Sequence, residues 1–363
     1  MNTQRTQLYS RLEVKTSNTQ LVEMNNLLPN GNKLFMKMEC ENAPGFNHYV
    51  RIYLALFKHF EEKGLIKPGQ RVYDFTSGSA GIAMASLAAQ LGYVCEVAMP
   101  AGGEKARERA ILEWIPPQQL HLTDSLVYVD GAPVFTRKFL AKNRDCFFFN
   151  HSMILQGGVP VVNEEAMAAC ANVVDEALRD MENVTPDVFV AISGNGTTQN
   201  GYGRRIKELC PSVKIVGTES FESGFVYDKL YPGRFEEEFG MSLSQREEFS
   251  RHRLPGTSYR VHFDVPALEA SLPLLAEEKL VWDSGTLREY REITGQEPPK
   301  DAIVFDTGIP NELKTFGRTT WAGYKVAENL ARETEGQNYL IVAYDHANRY
   351  DSWWEQAEKP KQS

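Results

Sequence analysis

A regular alternation of short apolar segments with longer segments of helical period constrains the fold of this chain most. The short segments are rich in β-branched or aromatic residues and are predicted strands: residues 71–75, 93–99, 120–123, 146–149, 187–192 and 213–217. The segments between them have the apolar spacing of helices: residues 80–91, 104–114, 163–181 and 201–209. Strands that alternate with helices form mainly parallel sheets with helices on both faces. The sequence therefore predicts an α/β fold with mainly parallel sheets.

Residues 231–259 interrupt this alternation. They are rich in charge and bounded by Pro and Gly, and residues 234–238 contain one arginine and three glutamates. Such a stretch is either a lid-like insertion or a solvated surface connection, and we favour the second interpretation because it is the more common one. Beyond it the alternation resumes with a helix at residues 286–294, a strand at 302–305 and a helix at 320–333.

Composition narrows the class of protein. The chain has 363 residues, of which 42% are hydrophobic and 24% are charged, and this is enough for two packed lobes. Its formal charge of -9 disfavours nucleic acid as a partner. No apolar run approaches the roughly 20 residues that cross a bilayer, and no secretory signal is seen, so we expect a cytoplasmic protein without membrane contact. The five cysteines are scattered without C-x-x-C spacing, so we expect neither disulfides nor a metal site.

Two predicted strand-to-helix junctions are rich in small residues. The first follows the strand at residues 71–75, and its candidate ligands for a substrate anion are Thr76, Ser77, Gly78 and Ser79. Backbone N–H groups at the start of a helix have no intrahelical partner and lie at the positive end of the helix dipole, so a carboxylate or phosphate is stabilised there. The alternative is an ordinary tight connection with a serine as N-cap.

The second junction follows a later predicted strand. Its candidate phosphate ligands are Gly194, Asn195, Gly196, Thr197 and Thr198. Glycines let the backbone approach an anion closely, consecutive N–H groups can surround phosphate oxygens, and the next helix is predicted to begin near Tyr202. The junction also fits half of a dinucleotide-binding fingerprint, because Glu219 ends the next strand but Gln199 replaces the third glycine. A nicotinamide dinucleotide is therefore the minority interpretation.

In their order and spacing, these segments resemble the cysteine synthase family of fold-type II pyridoxal-phosphate enzymes, which includes the tryptophan synthase β subunit. The similar segments are residues 19–22, 34–45, 76–81, 194–198, 283–285 and 306–308. The resemblance implies two three-layer lobes, a larger one from residues 1–41 and 150–354 and a smaller one from 42–149, with a frayed tail at 355–363. It also implies that residues 76–79 bind the substrate, that residues 194–198 hold the cofactor phosphate and that Thr307 contacts the pyridine nitrogen. Family members are usually dimers, which implies a homodimer.

One departure from the family pattern concerns the lysine that forms the Schiff base with the cofactor. Counting forward from Gly45 places His48 at its position, and counting back from Arg51 places Tyr49 there. The lysine holds the aldehyde covalently and later acts as the base at the substrate α-carbon. An imidazole can carry a proton near neutral pH but forms no stable aldimine. His48 or Tyr49 is therefore a candidate proton carrier, unless His48 merely begins the helix that follows.

Three functions are compatible with these features. The first is a lyase or transferase that acts on an amino acid by β-elimination or β-replacement, with pyridoxal phosphate held only noncovalently. The second is an enzyme or binding protein that has lost the cofactor and takes a phosphorylated or carboxylated metabolite in the same cleft. The third is a catalytically silent partner subunit of an active relative. The missing lysine, together with Ser79 in place of the family's substrate-loop asparagine, favours the second function, whereas the retained loops favour the first.

Overall fold

The computed structural model describes residues 2–124, 131–156, 159–182, 184–249, 253–257 and 265–350, so the predicted tail lies outside the described residues. The helices are α1 (Thr3–Thr16), α2 (Tyr49–Glu62), α3 (Ser79–Leu91), α4 (Lys105–Leu112), α5 (Ala132–Lys142), α6 (Glu164–Asp180), α7 (Thr197–Leu209), α8 (Phe225–Leu230), α9 (Arg234–Phe239), α10 (Pro266–Ser271), α11 (Ser284–Thr294) and α12 (Arg318–Ala331). The strands are β1 (Leu21–Met24), β2 (Lys33–Lys37), β3 (Arg71–Phe75), β4 (Val94–Pro100), β5 (Leu120–Thr123), β6 (Phe147–Phe148), β7 (Met153–Gln156), β8 (Val159–Val162), β9 (Val188–Ile192), β10 (Lys214–Ser220), β11 (Glu277–Trp282), β12 (Ile303–Val304) and β13 (Asn338–Val342). Within this described part, no helix is long and apolar enough to span a membrane.

The larger sheet has seven strands in the order β1-β2-β13-β9-β10-β11-β12. Its neighbouring strands are parallel except for β1 and β2, which are antiparallel. The central strands β9 and β13 are almost continuously apolar, as expected of strands that are buried on both faces. Phe189 and Leu340 are paired across these two strands and belong to the main hydrophobic core. The parallel order confirms the predicted fold class, although β13 has no counterpart among the predicted strands.

The smaller sheet has four parallel strands in the order β5-β4-β3-β6. Helix α3 follows β3 directly and is buried along residues 79–88, so it is covered on nearly every side. An antiparallel hairpin of β7 and β8 follows β6 along the chain. The seven-stranded sheet lies within the predicted larger lobe, and the four-stranded sheet lies within the predicted smaller lobe. The lobe boundaries at residues 41–42 and 149–150 stay a prediction.

Helix α7 differs from its prediction at the end that matters for the site. It begins at Thr197 and not near Tyr202, so Thr197 and Thr198 belong to its first turn. Its early residues are polar, and Gly201 lowers the intrinsic helix propensity, which hides the true start from a sequence pattern. In the structure a Cβ at Gly201 would lie 2.5 Å from Cβ of Cys170 on α6, so close packing of the two helices requires the glycine. Tertiary packing therefore overrides the local preference.

Residues 231–249 are a packed part of the fold. Helix α9 places Phe235 and Phe239 in a buried aromatic cluster with Trp282, while its glutamates face outward. The favoured interpretation of this stretch, a solvated surface connection, is therefore wrong here, because the helix has an apolar side that the charged composition conceals. Residues 253–257 reach the candidate site, whereas 250–252 and 258–259 lie outside the described residues.

Candidate functional site

A cavity of about 60 Å³ lies where several loops meet. It is bounded by the loops that follow β3, β9 and β13, by the start of α2 and by residues 255–256. The predicted site residues that line it are His48, Tyr49, Ser77, Ser79, Gly194, Asn195, Gly196 and Thr198. Because the carboxyl ends of parallel strands carry the loops that form such crevices, two distant junctions meet at one place. The structure thus brings both predicted loops and both candidate proton carriers to one cavity.

His48 precedes α2 and faces the first turn of α7. Its backbone N–H donates to the carbonyl oxygen of Tyr344 at 3.1 Å, which fixes its position. Its Nε2 lies 3.4 Å from Oγ1 of Thr198, and among the described residues its buried Nδ1 has no hydrogen-bond partner. Burial, reinforced by the nearby His151, lowers the pKa of His48 to about 3. The imidazole is therefore neutral at physiological pH and can accept a proton only weakly until a negative charge approaches it.

Tyr49 lies beside His48 on the same wall of the cavity. Its ring centroid is 4.0 Å from that of His48 and 5.3 Å from that of His151, which it meets in a T-shaped contact. Burial raises the pKa of Tyr49, and the neighbouring Cys170 raises it further. The phenol therefore keeps its proton and can donate a hydrogen bond. The two candidates differ in character, since His48 is a proton acceptor and Tyr49 is a donor.

The residues from Gly194 to Thr198, called the anion loop below, require glycine at two positions. Gly196 has a φ of 81°, and a Cβ there would lie 2.2 Å from the backbone nitrogen of Leu268. A Cβ at Gly194 would lie 2.4 Å from the carbonyl oxygen of Gly256. Without side chains at these positions, the backbone can turn sharply into α7.

Thr197 is fully buried beneath this loop and does not line the cavity. Its backbone N–H donates to Oδ1 of Asn195 at 3.0 Å. Within the described part of the chain, its Oγ1 has no hydrogen-bond partner. A buried hydroxyl without a partner costs free energy, so the anion loop holds a polar group that is not satisfied.

In the loop after β3, some residues line the cavity and others hold the loop in shape. Ser77 and Ser79 line the cavity, and their predicted contact with a substrate stays a prediction. Thr76 instead accepts hydrogen bonds at Oγ1 from the backbone N–H groups of Gly78 and Gly81, at 2.9 and 3.2 Å. Gly78 has a φ of 141°, which glycine adopts most readily. Thr76 and Gly78 therefore shape the loop and do not contact the cavity themselves.

A buried polar cluster that the sequence analysis missed closes one end of the cavity. Arg107 Nη2 donates to the hydroxyl of Tyr350 at 2.7 Å and lies 3.3 Å from Oδ2 of Asp345. Ser79 Oγ donates to the same carboxylate at 2.9 Å. The ring of Tyr350 also lies against the guanidinium groups of Arg107 and Arg318. These residues come from distant segments, so no local sequence pattern could have grouped them.

Thr307 lies outside the cavity, and its predicted contact with the pyridine nitrogen stays a prediction. It is exposed on the loop after β12, where the neighbouring Asp306 accepts a hydrogen bond from Ser284. Thr319, just inside α12, lines the cavity instead, and its buried Oγ1 has no hydrogen-bond partner among the described residues. A hydroxyl of the expected type is therefore present, but it comes from a segment that the resemblance did not single out.

Glu219 also forms its hydrogen bonds away from the cavity. It is buried in β10, and its carboxylate accepts hydrogen bonds from the backbone N–H groups of Phe225 and Tyr227 at 3.1 and 2.8 Å. Burial raises its pKa to about 7. A carboxylate that caps α8 in this way is not placed to receive a ribose, which argues against the dinucleotide interpretation.

Among the described residues that line the cavity, none is a lysine. Lys37 is buried elsewhere, with its Nζ 3.0 Å from Oε2 of Glu176 and bonded to the carbonyl oxygen of Thr19. Lys58 pairs with Glu13 on a partly exposed surface at 2.6 Å. Neither amine is placed to hold an aldehyde in the cavity.

Comparison with known proteins agrees with this architecture. A family model described as "Pyridoxal-phosphate dependent enzyme" matches residues 12–264. A cysteine synthase of Aquifex aeolicus (strain VF5) is 31% identical over 340 residues, which cover 92% of this chain and 88% of that protein. A cysteine synthase of Staphylococcus aureus (strain Mu50 / ATCC 700699) is 29% identical over 202 residues, which cover 55% of this chain and 61% of that protein.

Solved structures resemble the whole chain. The structure of O-ureido-L-serine synthase gives a TM-score of 0.73 at 20% identity, over 97% of this chain and 96% of that chain. The structure of a hydrogen sulfide-producing enzyme from Fusobacterium nucleatum gives 0.71 at 21% identity, over 93% and 98%. At these identities the similarity establishes the fold, which is that of fold-type II pyridoxal-phosphate enzymes. With the family match, it follows that the chain belongs to the pyridoxal-phosphate-dependent enzymes and is similar to their cysteine synthases.

The family implies pyridoxal phosphate as cofactor, and the residues present fit one part of it. The anion loop has an unsatisfied buried hydroxyl, two required glycines and the start of a 13-residue helix, which suit a phosphate group. Thr319 offers a second unsatisfied hydroxyl. No described lining residue offers an amine for the aldehyde. The described lining therefore fits the phosphate group of the cofactor.

Proposed function

We propose that this protein is a lyase or transferase that acts on an amino acid or related carboxylate and holds pyridoxal phosphate noncovalently. The observation that carries the proposal is an anion loop that faces His48 across a cavity whose described lining residues include no lysine. When bound, the cofactor supplies an electron sink for bonds at the substrate α-carbon. The β-elimination or β-replacement chemistry of the relatives is the reaction class that we assign to this chain.

Each group of cavity residues has a distinct part in this proposal. The amides at the start of α7 hold the phosphate, and Thr319 is the candidate partner of the ring nitrogen. Ser77, just before α3, and the backbone N–H of Ser79, its first residue, orient the substrate carboxylate, while the Ser79 hydroxyl donates to Asp345. His48 accepts a proton, because its neutral imidazole becomes more basic when a phosphate dianion lies against Thr198. Tyr49 donates a hydrogen bond from its protonated phenol.

The visible absorption spectrum tests the proposal. The purified protein is equilibrated with pyridoxal phosphate, desalted and examined before and after borohydride, with and without candidate amino acids. We expect a retained chromophore that borohydride does not fix to the protein and that shifts when an amino acid is added. The His48→Ala variant should retain the chromophore but turn over substrate at least 100-fold more slowly, since general acid–base groups contribute about 10²–10⁴-fold. A colourless protein, or a covalently fixed cofactor, refutes the proposal.

The small cavity favours a second candidate function, which is cofactor-free binding of a phosphorylated or carboxylated metabolite. About 60 Å³ holds about five waters, because one water needs roughly 10–15 Å³. Pyridoxal phosphate is larger than this number of waters. Thermal unfolding with inorganic phosphate and with pyridoxal phosphate separates the two candidates. Stabilisation by inorganic phosphate alone supports the cofactor-free role, and stronger stabilisation by the cofactor supports the enzyme.

We further propose that the protein is a cytoplasmic homodimer, by analogy with its relatives. Light scattering of the purified protein gives its mass directly. A mass of about twice the chain mass of 41.0 kDa supports the homodimer. Co-purification with a lysine-bearing relative would instead favour a silent partner subunit.

A further inference from the structure

An ion pair forms one end of the cavity. Among the described residues that line the cavity, Arg107 and Asp345 are the only ones whose side chains are charged at neutral pH, since His48 is held neutral. Nη2 of Arg107 lies 3.3 Å from Oδ2 of Asp345, and both residues are buried. The pair has no net charge, but it presents a positive end and a negative end to the cavity.

The hydroxyl of Tyr350 joins the two charged groups. A guanidinium can only donate and a carboxylate can only accept, so the hydroxyl accepts from Nη2 of Arg107 at 2.7 Å. It then donates to Asp345, whose two oxygens each lie 2.9 Å away. Burial raises the pKa of Tyr350, so the phenol keeps its proton. With the Ser79 hydroxyl, which donates to Oδ2 at 2.9 Å, it holds the carboxylate in position.

Two glycines make room for the pair. Gly78, in the loop after β3, has a φ of 141°, and a Cβ there would overlap Cδ of Arg107. Gly317 comes directly before α12, and a Cβ there would overlap Oδ1 of Asp345. The guanidinium also reaches the loop after β3, where Nη1 donates to the carbonyl oxygen of Ser77 at 3.4 Å. Both charged side chains therefore occupy spaces that two separate segments of the backbone leave open.

We propose that Arg107 and Asp345 determine the specificity of this site, and that they select a ligand with an ammonium and a carboxylate on one carbon atom over an anion that lacks the amine. This inference rests on the proposed function, in which the substrate is an amino acid or a related carboxylate. It narrows that choice to the amino acid.

Two opposite charges that lie side by side attract a dipole more strongly than a single charge. A carboxylate alone is attracted by Arg107 and repelled almost equally by Asp345, because the two groups are only 3.3 Å apart. An amino acid carries its ammonium and carboxylate at a comparable spacing, so it can lie antiparallel to the pair. Both of its charges are then attracted, and the low dielectric of a buried cavity strengthens both attractions.

The size of the cavity agrees with a small ligand. A volume of about 60 Å³ holds about five waters. Glycine has about as many non-hydrogen atoms as that. Acetate and methylammonium are its two halves, and each carries one of its charges. These three compounds therefore separate the effect of charge from the effect of size.

Calorimetry of the purified protein at neutral pH and constant ionic strength gives the dissociation constants of glycine, acetate and methylammonium. For the wild-type protein we expect glycine to bind at least about tenfold more tightly than either half, which is the contribution of one hydrogen bond to a charged group. Asp345→Asn should weaken the binding of glycine and strengthen that of acetate, because Arg107 then acts alone. Arg107→Lys keeps the positive charge and should keep the preference for glycine.

Glu104→Gln is the matched control. Glu104 and Asp345 are both 3% exposed, and Glu104 pairs with Arg318 at 3.0 Å, but it does not line the cavity. This variant should keep the wild-type ratios of the three dissociation constants. A purely structural role of Asp345 would change the three constants together, whereas the proposal requires their ratios to change.

Loss of a single charge leaves its partner buried without compensation, which is strongly destabilising. The double variant Arg107→Gln with Asp345→Asn keeps the cluster neutral, and thermal unfolding shows that it is folded. In this variant the three compounds should bind with similar affinity. A folded double variant that keeps the preference for glycine overturns the proposal. A wild-type protein that binds acetate as tightly as glycine also overturns it, and that measurement needs no variant.

Sulfate separates this inference from the proposed function. It is a dianion without an amine, so it probes the anion loop at the start of α7. A protein that prefers glycine as expected but binds neither sulfate nor pyridoxal phosphate supports the pair and overturns the proposed role of the anion loop. A protein that retains pyridoxal phosphate but binds acetate as tightly as glycine overturns the pair alone.

Discussion

The loops after β3 and after β9 are similar in sequence, but their hydroxyl groups have different surroundings. After β3, Thr76 accepts two backbone hydrogen bonds and Ser79 donates to Asp345. After β9, the buried hydroxyl of Thr197 has no partner among the described residues, and Thr198 is in contact with a neutral imidazole. Small residues at a helix start thus indicate a capacity to bind an anion. Whether the hydroxyl groups are free to bind it depends on the hydrogen-bond partners that the tertiary structure gives them.

The largest effect on stability should come from adding a side chain to a glycine in the loop after β9. Gly196→Ala combines a φ of 81° with a Cβ 2.2 Å from the backbone of Leu268, so we expect a loss of about 3 kcal/mol or more in the free energy of unfolding and loss of sulfate binding. Gly233 is the matched control, because its φ is 82° and nothing lies within 4 Å of a Cβ there. Gly233→Ala should cost about 1 kcal/mol and leave sulfate binding intact. Equal effects of the two substitutions would contradict the required close approach at Gly196.

The pH dependence of stability tests the environment of His48. Its folded-state pKa of about 3 lies below the ordinary value of 6.5, so between these values the unfolded chain binds more protons and stability falls as the pH falls. From pH 7 to pH 5 this histidine should cost about 2 kcal/mol of unfolding free energy, and urea unfolding measures it. His48→Gln should lack this contribution. Saturating sulfate should reduce it in the wild-type protein, because a dianion favours the imidazolium. If His48→Gln shows the same dependence of unfolding free energy on pH as the wild-type protein, the imidazole of His48 is not held neutral in the fold.

Thr319 tests whether an unsatisfied hydroxyl is retained for a ligand. Thr319→Val removes a buried hydroxyl without a described partner, so we expect an increase of about 1 to 1.5 kcal/mol in the free energy of unfolding. The same variant should retain pyridoxal phosphate more weakly after desalting. Destabilisation of the protein together with unchanged cofactor retention would show that the hydroxyl serves the fold.

The smallest effect should come from the loop after β3. Ser79→Ala removes one hydrogen bond to Asp345, which costs about 1 kcal/mol in the free energy of unfolding. Sulfate affinity at the anion loop should not change, since this hydroxyl is engaged away from α7. If Ser79→Ala lowers the sulfate affinity as much as Thr198→Ala does, both loops bind the same anion. The proposed difference between the two loops would then be wrong.

The sequence predicted the fold better than the site, and particular residues show why. Strands β3, β5 and β9 and helices α3 and α6 are marked by local apolar periodicity, which depends on neighbours in sequence. His48 was singled out by its position in a segment that resembles the family, and the glycines of the anion loop by the backbone freedom of glycine. Arg107, Asp345, Tyr350 and His151 were missed because they meet the site through contacts between distant segments. Thr307 was singled out by the family resemblance of a short motif after β12, and its predicted role stays a prediction.

By itself, the sequence determined the α/β class, the family resemblance, the two small-residue junctions and the lack of a lysine at the expected position. These features follow from periodicity, backbone freedom and residue chemistry, all of which are readable along the chain. Only the tertiary structure decided that His48 lies against α7, that Thr319 and not Thr307 lines the cavity, and that Arg107 meets Asp345 at one end of it. Those relations depend on which strand ends are adjacent in the two sheets. Burial then sets the protonation of His48, because desolvation disfavours its charged form.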